Sequence, residues 1–283
     1  MSNNKKQFAA MTTVRNDSLF LPKWIEYYGK AFGYKNLFVF LDGHDQPLPE
    51  HPNADEVNFI KLPHMPLARS RGDRRRARIM SHLARGLFWL FDTVLVMDVD
   101  EFLVLDPNSG DSLSDYLASK SNRPTLSGLG LDVGQHLEKE EAIDPSQPFL
   151  NQRRFAHLSS RYTKPVVANR PVTWGSGMHR VKGRNYHIDE NLYLLHFGMV
   201  DYERSTGKTA DQSRIDAGWG KHLERREELF KIITTSQAHA WDDIIPRARK
   251  KQQRARQLFA WNKPKLLRGS PVVEIDPRFK GLI

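Results

Sequence analysis

An apolar run, Thr93-Val94-Leu95-Val96-Met97, ends abruptly in Asp98-Val99-Asp100-Glu101, so three carboxylates crowd into four positions. Carboxylates held that closely repel one another unless a cation or a proton relieves them. A hard divalent ion such as Mn2+ or Mg2+ is the usual relief, because it prefers oxygen ligands and bridges carboxylates to phosphate oxygens. Taken alone, the Asp-x-Asp is equally read as a solvated turn. The 283 residues include no cysteine, which excludes disulfides, thiolate metal sites and cysteine nucleophiles. Any metal must be held by oxygen and imidazole groups.

The elements that would position these groups follow from hydrophobic periodicity. Gln7 to Val14 and Asn36 to Leu41 read as buried strands, separated by a helix in which Trp24, Tyr27, Tyr28 and Ala31 recur at helical spacing before Gly33. Val57 to Leu62 reads as a third strand. Ile79, Leu83 and Leu87 mark one face of a helix from Asp73 to Phe91, and Thr93 to Met97 is a fourth strand. This alternation predicts an α/β fold with a mostly parallel central sheet flanked by helices, with ligands beyond the carboxyl ends of the strands. Asp42, Asp98 and Asp100 lie at such ends. A helix around Ser112 to Ser119 and a strand from Thr125 to Leu131 follow, then a loop-rich stretch with Pro145, Pro148, Pro165 and Pro171. From Arg214 the pattern turns helical and charged, which predicts a catalytic domain over 1–213 and a helical, basic carboxyl-terminal extension over 214–283.

The composition, 39% hydrophobic and 27% charged, is that of a globular protein. A formal charge of +10 implies an anionic partner, a sign satisfied by nucleotide phosphate, nucleic acid or an acidic membrane. No stretch approaches the ~20 apolar residues that span a bilayer, and the opening residues lack a signal-peptide pattern, so a cytoplasmic protein is expected.

Several segments combine into a pattern: Thr12-Thr13-Val14-Arg15-Asn16-Asp17, Leu21-Pro22-Lys23-Trp24-Ile25-Glu26-Tyr27-Tyr28, Gly33, Phe38-Val39-Phe40-Leu41-Asp42-Gly43, and Asp98-Val99-Asp100-Glu101-Phe102. In this order they resemble the family 2-like glycosyltransferases with the GT-A fold, including the relatives grouped with family 92. The resemblance covers residues 8–106 well and the remainder more loosely. It implies a GT-A-like, Rossmann-like domain that moves a sugar from a nucleotide-sugar donor, UDP-linked in many relatives, to a glycan or lipid-linked acceptor. Metal-dependent transfer with inversion is the implied chemistry. The resemblance further implies that Val14, Arg15 and Asn16 line the nucleotide pocket, that Asp42 accepts hydrogen bonds from base or ribose, and that Asp98 and Asp100 hold metal and diphosphate. Asn16-Asp17 is equally read as a helix cap, and Arg15 as a surface charge. Among Arg69, Arg71, Arg74, Arg75, Arg76, Arg78 and Arg85, those opposite Ile79 and Leu83 read as solvated. One or two near the start of the helix, Arg74 foremost, are expected to offer the diphosphate a planar fork of donors.

Downstream, Arg154-Phe155, Lys164-Pro165-Val166-Val167, Gly177-Met178-His179 and Leu195-His196-Phe197 resemble a looser pattern of the same family. The pattern implies His196 as a fixed third metal ligand after the run Leu192 to Leu195. It implies His179, after Trp174-Gly175-Ser176-Gly177, as a contact to donor phosphate or metal made on loop closure. Each is equally a hydrogen-bonded structural histidine. Transfer also needs a base for the acceptor hydroxyl: Asp132 is the first choice and Glu101 the second. The acidic doublet that many family 2 enzymes carry at the acceptor site is missing, which leaves that assignment open.

Between Arg247 and Arg268 stand nine Lys or Arg residues and no acid, interleaved with Phe259 and Trp261. A solvated helix face is the plainer reading. An amphipathic segment on an anionic bilayer is the more specific one, giving a peripheral location on the inner face of the cell membrane. Two other functions compete. In a haloacid-dehalogenase-like phosphatase the Asp-x-Asp would supply nucleophile and acid, but Phe102 stands where Thr or Val is usual and three strands come first. A non-catalytic basic membrane- or nucleic-acid-binding protein would leave Asp42, Asp98 and Asp100 without a purpose.

Overall fold

Alternating apolar residues build the first half of the chain. In the computed structural model, which describes residues 7–183, 187–207, 220–255, 267 and 269–283, strands β1 (Phe8–Val14), β2 (Leu37–Asp42), β3 (Asn58–Leu62) and β4 (Thr93–Val96) lie side by side. Their order is β3-β2-β1-β4, all parallel. Because side chains alternate across a strand, β1 sends Phe8, Ala10 and Val14 to one face and Ala9 and Met11 to the other. Helix α1 (Phe20–Phe32) covers the first face with Trp24, Ile25 and Tyr28. Helix α2 (Arg69–Leu87) covers the second with Ala77, Met80 and Ala84. Asp17 opens α1: its Oδ1 accepts the backbone N–H groups of Leu19 at 3.1 Å and Phe20 at 2.7 Å.

The second half follows other rules. A tight turn at Asp98, closed by the Glu101 N–H donating to the Asp98 carbonyl at 3.1 Å, leads into β5 (Glu101–Leu105). Helix α3 (Leu113–Ser119), β6 (Thr125–Gly134), the single turn α4 (Phe149–Gln152), β7 (Phe155–Leu158), β8 (Val167–Ala168) and β9 (His187–Met199) follow. β8 lies antiparallel between β4 and β6, and β5 pairs antiparallel with β9, which is parallel to β6. Then come α5 (Tyr202–Gly207), α6 (Gly220–Thr235), β10 (Ala238–His239), α7 (Trp241–Arg254) and β11 (Val272–Glu274).

Among the described residues the strands form one eleven-stranded sheet, with five pairings parallel and five antiparallel. The expectation of a mostly parallel sheet is therefore corrected: the fold is α/β with a large mixed sheet flanked by helices, compatible with a Rossmann-like arrangement. The physical reason is connection length. Parallel neighbours need a crossover of about a dozen residues or more, as α1 and α2 supply. The turn between β4 and β5 is far too short, so β5 leaves β4 and finds β9.

The expected boundary at 213/214 and the segment bearing Phe259 and Trp261 lie outside the described residues. Of the part beyond, Trp241 and Ile245 of α7 belong to the same core as β9, and the Trp241 ring lies 4.9 Å from those of Tyr193 and Phe279. Among the described residues no helix is long and apolar enough to cross a membrane.

Candidate functional site

Parallel strands share one carboxyl edge, and there the fold gathers the groups met first. Arg15 and Asn16 follow β1, Asp42 ends β2, and Asp98 and Asp100 follow β4. The Arg15 guanidinium donates to the Asp42 carbonyl and to both carboxylate oxygens of Asp45, at 3.2 and 3.0 Å, so it ties the ends of β1 and β2 together. Asn16 takes a left-handed conformation, φ 50°, and its N–H donates to Gln46 at 2.7 Å. The Asp42 carboxylate stays partly exposed, with His64 Nδ1 at 3.1 Å. Val14 is buried in the core.

Across the seam, β9 is flanked by β5 and β6 in a register that sets His196 beside Glu101 on one side and Asp132 on the other. The His196 Nδ1–H donates to Asp132 Oδ1 at 2.6 Å, and Nε2 faces Asp100 Oδ2 at 3.3 Å. Burial would lower the imidazole pKa, but Asp100 and Asp132 on either side outweigh it and raise the value to about 10. A proton thus stands between two carboxylates. Gly198, two residues on, bounds this space: a Cβ there would collide with the His196 ring and come within 3.4 Å of Asp100 Oδ2.

The loop after β7 supplies the rest. It can lie directly on β6 because position 130 is glycine, where any Cβ would strike the backbone of Tyr162 and Thr163. Ser159 N–H donates to the Gly130 carbonyl at 2.9 Å, and Gly130 N–H to Thr163 Oγ1 at 2.9 Å. That close approach stacks Tyr162 on His196, centroids 3.7 Å apart and planes 14° apart. It also drives Lys164, 1% exposed, between Asp98 Oδ2 at 3.0 Å and the fully buried carboxylate of Glu101. Arg76 reaches Asp98 Oδ1 at 3.0 Å from the other side. Burial alone would raise the Asp98 pKa, but Arg76 and Lys164 hold it well below the usual carboxylate range. Burial lifts Glu101 upward, aided by Asp98 and Asp100 and opposed by Lys164. Lys164 keeps its charge because Asp98 and Glu101 outweigh its own desolvation.

His179 lies near the same cluster. Its Nδ1–H donates to the Arg161 carbonyl at 2.8 Å, and burial together with the Lys164 charge lowers its pKa to about 3. It is neutral, with Nε2 left as an acceptor. The segment before it is anchored: Trp174 is 2% exposed and its indole N–H donates to the Pro165 carbonyl at 2.9 Å.

The structure therefore brings Asp98, Asp100, Glu101, Asp132, His179 and His196 into one neighbourhood. Arg74 is exposed, and Arg76, two residues on, reaches Asp98. Neither acid considered as a base is open: Glu101 is locked to Lys164, and Asp132, 7% exposed, to His196. Lys164 and Tyr162 were given no role in the expected set, the Lys-Pro segment being the one sequence signal for Lys164, and Arg76 stood there only as one of a run of arginines. Among the described residues no group of three or more His, Asp or Glu side chains converges on one metal position. Asp100 and His196 form a pair, while Asp98 turns away to its two cations.

No family model matches the chain, and no curated protein matches it. Among solved structures, mannose-1-phosphate geranyltransferase from Thermus thermophilus is similar at 12% identity with a TM-score of 0.29, over 47% of this chain and 44% of that one. The chain thus spans under half the length of that protein, and a likeness so slight carries no argument about fold or function.

Proposed function

We propose that the chain is a metal-dependent glycosyltransferase that uses a nucleotide-sugar donor. The observation that supports this best is the Asp100–His196–Asp132 group at the edge shared with Asp42 and Arg15. The donor set fits a divalent ion: an imidazole whose Nδ1–H is fixed by a carboxylate presents Nε2 toward a second carboxylate, the outer-shell arrangement common around metal-ligating histidines. The missing side chain at Gly198 lets the His196 ring lie against the backbone there, in its place beside Asp100. Asp100 and His196 would hold the ion, and donor phosphate oxygens and water would complete its shell. When bound, the ion offsets charge that grows on the leaving diphosphate.

The chain's own groups do the remaining work. Asp42 accepts hydrogen bonds from the base or ribose, and Arg15 braces the strand ends beneath it. Arg76, about one-third exposed, turns its fork to the diphosphate, while Lys164 stays buried and holds Asp98 ionised. His179, neutral, accepts through Nε2 from a donor hydroxyl. Asp132 acts as a positioning residue for His196. Its engagement there argues against a direct part in deprotonating the acceptor.

Calorimetric titration of nucleoside diphosphates with and without manganese tests the proposal. Tighter binding with manganese, lost in Asp100→Asn, is expected. Equal affinity in both conditions would overturn it.

A further inference from the structure

Helix α2 turns two faces to different surroundings. Inward, Ala77, Met80 and Ala84 meet the sheet and Arg76 reaches Asp98. Outward, Arg71, Arg75, Arg78, His82 and Arg85 recur at intervals of three or four, so they stand along one side of the helix, and all are exposed. No acid lies in that stripe. The same spacing continues past the helix end to Trp89, which is 90% exposed, with Leu90 beside it at 72%. Flanking Phe88 and Phe91 are packed on the core, so the Trp-Leu pair is held outward by a fixed backbone, with the Leu90 N–H donating to the Leu87 carbonyl at 2.9 Å.

A single exposed apolar residue is ordinary, but two large ones side by side at the tip of an arginine stripe mark an interaction surface. We propose that this face of α2 docks on an anionic phospholipid bilayer, with Trp89 and Leu90 entering the boundary between headgroups and acyl chains and the arginines on the lipid phosphates. Charge and shape both favour this occupant. Arginine forks suit phosphate, and an aromatic-aliphatic pair beside a basic face is the composition of an interfacial anchor. A nucleic acid would use the arginines and stack on Trp89, but it gives Leu90 no partner. A second copy of a chain with net charge +10 would set one arginine stripe against another. These residues are distinct in sequence from the basic segment beginning at Arg247. Neither Trp89 nor Leu90 belongs to the strand-end site, so the inference stands whatever the chain transfers. The inner side of the same helix carries Arg76, so docking would hold the site close to the membrane.

Co-sedimentation of the full chain with phosphatidylcholine vesicles, alone or mixed with phosphatidylglycerol, tests this surface. Binding is expected to the mixed vesicles only and to weaken as salt rises. Trp89→Ser with Leu90→Ser should bind about tenfold more weakly or worse, and Arg78→Gln with Arg85→Gln should do likewise. Both variants should keep the wild-type unfolding temperature, because every altered side chain is exposed. Trp89→Phe should still bind but lose part of the fluorescence quenching that brominated lipid produces in the wild type. The proposal fails if wild type does not sediment with the anionic vesicles at low salt. It fails equally if both double variants bind as wild type does, or if the Trp89 and Leu90 changes weaken capture of an RNA oligonucleotide or self-association while leaving vesicle binding intact.

Discussion

Asp98 and Asp100 are two positions apart and chemically identical, yet they stand in opposite surroundings. Asp98 meets two cations, Lys164 and Arg76, and shares the first with Glu101. Asp100 faces a histidine that is also held by Asp132. The first group balances its charge from within the fold. In the second, the raised pKa of His196 keeps a proton between Asp100 and Asp132, and a divalent ion would serve in the proton's place. An Asp-x-Asp motif that looks symmetric in sequence is thus divided in structure between a buried network with lysine and arginine and a carboxylate–imidazole–carboxylate group.

The division is tested most strongly at Lys164. Lys164→Met leaves Asp98 and Glu101 without their shared buried cation and should lower stability by about 3–5 kcal/mol in urea unfolding. Adding Glu101→Met should recover much of that loss, since an apolar pair can replace a buried ion pair. A Lys164→Met protein as stable as wild type would dissolve the distinction between the two groups. Asp100→Asn should do the reverse: little change in stability, with manganese-dependent nucleotide binding weakened by about a hundredfold, measured by calorimetry. Asp132→Asn should be milder, about tenfold in manganese affinity, because it frees the ring orientation without removing a ligand. Gly198→Ala should also weaken manganese binding by crowding His196 and Asp100, and a crystal structure would show the ring displaced. The smallest effect concerns His179. Its folded pKa, about 3, lies below the ordinary 6.5, so the unfolded chain takes up a proton that the folded chain refuses. Its contribution to stability should be intact above pH 6.5 and decline as pH falls toward about 3. His179→Gln should flatten that part of the acid profile, and an unchanged profile would show the imidazole is better solvated than its packing indicates.

The parallel half was readable in the sequence because its strands are continuous apolar runs joined by long amphipathic helices. The phase of α2 was not. Ile79, Leu83 and Leu87 are only partly buried, whereas Ala77, Met80 and Ala84 face the sheet, the two alanines allowing a close contact that the unbranched Met80 fills. That shift brings Arg76, not Arg74, to Asp98. In the other half, β9 runs from His187 to Met199, but Asp189, Glu190 and Asn191 interrupt its apolar pattern. Asp189 is 1% exposed and tolerable there because the Tyr116 hydroxyl donates to it at 2.7 Å, a partner far away in sequence. Lys164 sits on a loop without periodicity, and only the close crossing at Gly130 explains where it goes. Asp132 could be anticipated just past the expected strand, but β6 runs on through it to Gly134, and its hydrogen bond to His196 depends on the pairing of β6 with β9.

Strand β8 is two residues long, yet it pairs with β4 on one side and β6 on the other, and so stitches the parallel half to the mixed half. Lys164 crosses the same seam three residues earlier. Short stitching is the first part of a sheet to open under mild denaturant, since few backbone bonds hold it. Once it parts, Asp98 and Glu101 lose their lysine and Tyr162 leaves His196, while α1, α2 and the four parallel strands still retain their own packing. The protein should therefore lose its ligand site ahead of its secondary structure, so that ligand binding becomes an earlier indicator of damage than circular dichroism.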